Sequence, residues 1–213
     1  MKTRSKALLL TLCAVLLVAA SVLGTMAYLT SSDTVTNTFT VGSVAIKLDE
    51  AKANPDGTLV PNAERVKANS YKLLPGHTYN KDPMVTVLSG SEPSYVKMTV
   101  TFSKANELDA IFAPGGADLT KIFNGYDPAN WTYKDNTTDV TANTRTYEFW
   151  YKEAVGAPDG DVALDALFDS ITVPGTITGE QLKTIEGMTI TVNAYAIQAD
   201  GFADAGAAWA AFN

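Results

Sequence analysis

Alternation of apolar and polar positions governs most of the chain beyond residue 43. Val44, Ile46 and Leu48 alternate with Ser43, Ala45 and Lys47, a period of two that turns one face of a β-strand inward. The clearest strand is Tyr95 to Ser103, with Val96, Met98, Val100 and Phe102 on one side and Lys97, Thr99, Thr101 and Ser103 on the other. Thr144 to Glu153 sets Tyr147, Phe149 and Tyr151 against Trp150; apolar groups on both faces imply an interior strand or a covered face. Met188 to Gln198 aligns Ile190, Val192 and Ala194, with Tyr195 and Ile197 opposite. Tyr71 to Leu74, Met84 to Leu88 and Phe168 to Val173 read as shorter strands.

The segments between them are punctuated. Residues 49–70 contain two prolines and Asp56-Gly57 and lack a period, so they form an excursion or a hairpin turned at that pair. Pro75-Gly76 and Pro174-Gly175 close strands, because Pro presets φ and Gly accepts φ > 0. Lys104 to Phe112 and Ala117 to Phe123 are expected as short helices, stopped by Pro114-Gly115-Gly116 and Asn124-Gly125. Residues 126–145, rich in Asn, Thr and Asp around Trp131 and Tyr133, read as a decorated loop with a brief strand. Glu180 to Ile185 is a helical turn, and Asp204 to Phe212 a terminal helix docked by Trp209. About eight strands with helices only in the connections predict an all-β, antiparallel, jelly-roll-like sandwich in one domain, residues 28–213.

The first 27 residues break the pattern. Lys2, Arg4 and Lys6 precede a run from Ala7 to Leu23 that is apolar apart from Thr11 and Ser21. Thr25-Met26-Ala27 then offers small residues at the −3 and −1 positions of a cleavage site, so a peptidase would cut between Ala27 and Tyr28. This is the pattern of an export signal; a membrane anchor is the alternative, because the run is about long enough to cross a ~30 Å hydrocarbon core. No basic stop-transfer cluster follows it. Cleavage would remove three of the 16 basic residues and none of the 23 acidic ones, making the product more acidic than the whole chain's −7. Without a run of Lys and Arg, nucleic acid is not an expected partner.

Candidate chemistry is sparse. The one cysteine, Cys13, goes with the signal, so no disulfide holds the remainder. His77 is the only histidine and follows Pro75-Gly76 in a turn, whereas a catalytic zinc site needs three protein ligands. Asp159, Asp161, Asp165 and Asp169 fit no calcium loop of EF-hand spacing. Metal-protease, nucleophile-elbow, phosphate-loop and dinucleotide motifs are absent. No enzyme, cofactor, metal or small-molecule substrate is expected.

Three stretches together resemble a known family. The junction LGTMAYLTSSDTVTNTFTVGSVAIKL looks like the SipW-dependent type of signal. YKLLPGHTYNKDPMVTVLSGSEPSYVKMTV and the closing MTITVNAYAIQADGF resemble strands of the TasA/camelysin matrix proteins of Gram-positive bacteria. The resemblance covers nearly half of the chain, and residues 106–165 depart from it. It implies a secreted jelly-roll subunit of extracellular biofilm fibres, whose freed leading segment, here Tyr28 to Val41, adds as a strand to the next copy or to a related subunit. The metalloprotease activity associated with camelysin-like members does not carry over, since His77 has no second histidine.

The residues support that mechanism on their own terms. Thr34, Val35, Thr36, Asn37, Thr38, Phe39, Thr40 and Val41 have high β propensity, no proline, and too little apolar surface to fold alone. Main-chain bonds would give affinity, and Val35, Phe39 and Val41 would give register. Such a head-to-tail contact need not close and yields filaments. The same segment could instead pair within its own sheet. A second reading, from a different class, is a surface adhesion or glycan-binding module that stacks sugars on Trp131, Tyr133, Tyr147, Trp150 and Tyr151; the competing reading of those rings is core packing.

Overall fold

The computed structural model describes residues 3–26, 42–112 and 119–212, in two units that divide between Val41 and Gly42. The first unit contains helix α1 (Thr3–Met26). Leu8, Leu10, Leu16 and Leu17 on it are 60–72% exposed. Among the described residues no helix is long and apolar enough to cross a membrane.

The second unit is built on antiparallel strands. In chain order these are β1 (Ile46–Asp49), β2 (Thr78–Asn80), β3 (Met84–Val87), β4 (Ser91–Ser103), β5 (Phe123–Asn124), β6 (Trp131–Asp139), β7 (Thr144–Tyr151), β8 (Val155–Ala157), β9 (Val162–Ala163), β10 (Ser170–Thr172) and β11 (Ile190–Gln198). Three short helices, α2 (Ala105–Phe112), α3 (Gly179–Thr184) and α4 (Ala205–Ala211), and a 3₁₀ turn at Leu119–Ile122 lie in the connections. The largest sheet runs β11-β4-β7-β6, with β8 also pairing β4; two smaller sheets run β1-β3-β9 and β2-β10-β5. The protein is therefore mostly β, with antiparallel sheets and few short helices.

The alternating pattern sets the inward faces. Val96, Met98, Val100 and Phe102 on β4 are fully buried, and the facing positions Ala196, Ala194, Val192 and Ile190 on β11 pack against the same core. Tyr147 and Phe149 on β7 join them, and β7 is an interior strand between β4 and β6. Phe123 stacks on Phe168 at 4.0 Å and lies 5.6 Å from Phe102, tying the β2-β10-β5 sheet to the largest one. Trp209 docks α4, with the Lys97 ammonium 4.7 Å from its ring centre.

Three segments differ from the sequence reading. Residues 131–139 form a nine-residue strand, where a loop with only a brief strand was expected: beyond the buried Trp131, β6 obtains its order from the backbone ladder with β7, which needs no further apolar side chains. Tyr71 to Leu74 is irregular chain, not a strand. The Leu74 N–H donates to the Tyr79 hydroxyl, which donates to the Lys72 carbonyl, so a buried tyrosine replaces a strand partner. The strand lies beyond the Pro75-Gly76 turn, as β2. Residues 119–123 are a 3₁₀ turn running into β5 rather than an α-helix. The excursion 49–70 does turn at Asp56-Gly57, held by the isolated bridges Ala53↔Leu59 and Glu50↔Val66. Gly57 is required there: φ is +90°, and a Cβ would lie 2.7 Å from the Thr78 carbonyl oxygen.

Candidate functional site: an open sheet edge and its groove

The two margins of the largest sheet have opposite character. On β6 the ladder slips at a bulge between Tyr133 and Asp135, and the residues from Tyr133 to Asp139 are exposed and include Lys134, Asp135 and Asp139. Bulges and charges of this kind blunt an edge against further pairing. The other margin, β11, is a nine-residue run, ITVNAYAIQ, without charge or proline and in unbroken register with β4.

Hydrogen-bonding parity shows which way the β11 backbone faces. The Ser103 N–H donates to the Thr189 carbonyl and the Ala199 N–H to the Pro93 carbonyl. Bonded pairs alternate along an antiparallel ladder, so Thr191, Asn193, Tyr195 and Ile197 exchange bonds with β4. Ile190, Val192, Ala194 and Ala196 turn their N–H and C=O groups away from it. Among the described residues no strand pairs with that side of β11.

An open groove of about 1000 Å³ runs alongside this edge at its Ile190–Val192 end. Residues 67–73 form one of its walls, and Leu48, Leu73, Ile171 and Val173 contribute apolar surface. The wall segment is held by side chains. Arg65 donates to Asp49 at 2.5 Å and to Asp82 at 2.8 Å, the Lys67 ammonium reaches the Leu48 carbonyl, and Asn69 donates to Glu50 at 3.0 Å. Burial pushes the Asp49 carboxyl up, but hydrogen bonds from Lys47 and Arg65, with their charges, outweigh it and hold the group below the usual carboxylate range. Burial also pulls Arg65 down, and Asp82 and Asp49 reverse this, keeping its guanidinium more firmly protonated than usual.

The polar end of the groove contains Glu50, Asn69 and Lys81. Glu50 is 5% exposed and Lys81 8%, and the Lys81 ammonium meets Glu50 Oε2 at 2.5 Å. Beside them, burial and then the Glu50 charge push the Tyr71 hydroxyl well above its ordinary range, against a smaller opposing pull from an Asn69 hydrogen bond.

The start of the second unit lies at the far end of β11. Ser43 bridges Ser91 and accepts from the Glu92 N–H at 2.9 Å, while Ser94 pairs with Gln198. The eight steps from Ile190 to Gln198 span about 27 Å at the usual rise.

Of the sequence-derived site residues, Thr25 lies in the last turn of α1. Ala27, Tyr28 and the strand Thr34 to Val41 lie outside the described residues. The five aromatic rings do not form a shared platform. Trp131 and Tyr147 are 0% and 1% exposed, with the Trp131 indole donating to the Asp165 carbonyl and the Leu119 N–H donating to the Tyr147 hydroxyl. Trp150 and Tyr151 are part-buried, and only Tyr133 is exposed. His77 is exposed on its turn. Asp165 and Asp161 accept from Asn130 and the Ser89 N–H respectively. Among the described residues no three His, Cys, Asp or Glu side chains converge as a metal site would require. The open side of β11, the groove and the Glu50–Asn69–Lys81 cluster were missed in the sequence. Strand alternation marks an inward face but not whether a strand has a second neighbour, and Glu50, Asn69 and Lys81 are brought together by irregular chain. No protein-family model, curated protein or solved structure matches the chain.

Proposed function

We propose that the protein is an exported structural subunit, a jelly-roll-like sandwich that polymerises outside the cell into biofilm-matrix fibres. Its partners are further copies of itself or related subunits, with signal peptidase acting between Ala27 and Tyr28 during export. The leading segment Tyr28 to Val41 of one copy adds to β11 of the next; no catalytic turnover is assigned. The observation that supports this reading is the side of β11 that no strand among the described residues pairs, flanking an apolar groove.

An incoming strand would satisfy the outward N–H and C=O groups of Ile190, Val192 and Ala194 and bury Val35, Phe39 or Val41 in the groove. Each buried side chain of that size contributes about 1.5–3 kcal/mol, against about 1–2 kcal/mol of backbone entropy for every residue ordered. Only a segment that forms both the ladder and the apolar contacts can bind. The head-to-tail sense follows from Gly42 and the groove lying at opposite ends of β11, an arrangement that propagates instead of closing.

Secreted protein beginning at Tyr28 and a version lacking residues 28–38 separate donation from pairing within one chain. The first is expected to give filaments in negative-stain electron microscopy and the second dispersed particles. Equal fibre yield from the two would end the strand-donor reading. N-terminal sequencing of the secreted product checks the cleavage point.

A further inference from the structure

Glu50 holds two reactive neighbours, one on each carboxylate oxygen. The Lys81 Nζ lies 2.5 Å from Oε2, and the Asn69 Nδ2 donates to Oε1 at 3.0 Å. The carboxamide is fixed at its other atoms as well: Nδ2 also donates to the Ala51 carbonyl at 2.8 Å, and Oδ1 accepts the Ala53 N–H at 2.9 Å. An amine, a carboxylate and a carboxamide are thus gathered at one partly enclosed place, with a backbone donor already on the oxygen that would gain charge if the amide carbon were attacked.

We propose that this cluster forms an intramolecular amide bond between Lys81 and Asn69, with Glu50 as the proton carrier and ammonia as the leaving group. Transfer of a proton from Nζ to Oε2 replaces two buried charges by two neutral groups, which relieves their desolvation and bares the nitrogen lone pair. Nζ then attacks the Asn69 Cγ, and the developing charge on Oδ1 is stabilised by the Ala53 N–H. Glu50 returns its proton to Nδ2, the Cγ–Nδ2 bond breaks and ammonia departs. The second proton leaving Nζ goes to the ammonia, giving ammonium. One N–C bond forms, one breaks, and no oxidant or cofactor is consumed. Positioning supplies the acceleration, since the reactants share one anchor and no encounter is required. The reaction occurs once per chain, so the protein is its own substrate.

The product would tie the groove wall at Asn69 to the residue that follows β2. The second unit contains no cysteine, so this amide would be a covalent staple where no disulfide can form. The inference does not depend on what the groove binds.

Intact-mass spectrometry of the folded full chain tests it directly. The wild-type chain is expected to be lighter than its sequence mass by one ammonia. Trypsin should fail to cut after Lys81, leaving a branched product that joins Ala68–Lys72 to the peptide from Leu73 to Lys97. Lys81→Arg and Asn69→Ala should each restore the full mass for their own sequences, and Glu50→Gln should do so with the fold retained by circular dichroism. Folded wild-type protein at its unreacted mass, with ordinary tryptic cleavage at Lys81, would overturn the proposal. A branched peptide persisting in Glu50→Gln would overturn the role given to Glu50.

Discussion

Asp49 illustrates how one side chain positions the candidate site. It is 4% exposed and receives Lys47 and Arg65, and Arg65 continues to Asp82, so a single carboxylate links β1, the excursion and the segment before β3. Its folded-state pKa lies below the ordinary value of 3.8, which means that the unfolded chain takes up the proton first as pH falls. The stabilisation is complete well above that value and is lost as pH drops through the lower, folded one. Asp49→Asn is expected to cost about 2–3 kcal/mol at pH 7, because it leaves Arg65 half-paired in a partly buried place. In urea unfolding, the difference from wild type should shrink toward pH 3; a gap of constant size across that range would contradict the assignment.

At the scale of the element, the strands with strong period-two patterns, β4, β7 and β11, were legible because burial on one face leaves an alternating record in the side chains. β6 was not, because an edge strand that takes its order from a backbone ladder needs no such record, and its Asn, Thr and Asp content resembles a loop. The wall at residues 67–73 was illegible for a related reason, being held by Arg65, Lys67, Asn69 and Tyr79 contacts that no local pattern announces. β11 itself offers the sharper experiment. The Ala194 N–H faces away from β4, so Ala194→Pro removes an outward donor and places a ring on the open side while sparing the β4 ladder. The variant is expected to stay folded, losing about 1 kcal/mol or less, consistent with an edge position. Its filament yield should fall sharply. Undiminished assembly by a folded Ala194→Pro protein would move strand addition to another edge.

For the whole molecule, an all-β reading with short helices in the connections was accessible from spacing and turn residues alone, and α4 docking through Trp209 followed from its one large ring. How the sheets leave a gap beside β11 was not accessible, since it depends on packing between elements remote in sequence, such as Leu48, Ile171 and Val192. Occupancy of that gap should be felt globally. Anything binding only the folded state adds stability by mass action, about 2.7 kcal/mol at a hundredfold excess over its dissociation constant. A synthetic peptide of sequence Tyr28 to Val41, added to protein lacking residues 28–38, is therefore expected to raise the unfolding midpoint in a concentration-dependent way. A reversed-sequence peptide should not. No shift at saturating peptide would argue that the groove accepts a different guest.

The bulge between Tyr133 and Asp135 has a consequence well beyond β6. If β11 accepts a strand as proposed, a sheet with one sealed border and one receptive border would be an arrow, and a row of such arrows would have two unlike tips. In the proposed fibre, newcomers offering a tail and newcomers offering a socket would meet different ends, making elongation directional. A single defective unit seated at a tip can halt that end while the other continues.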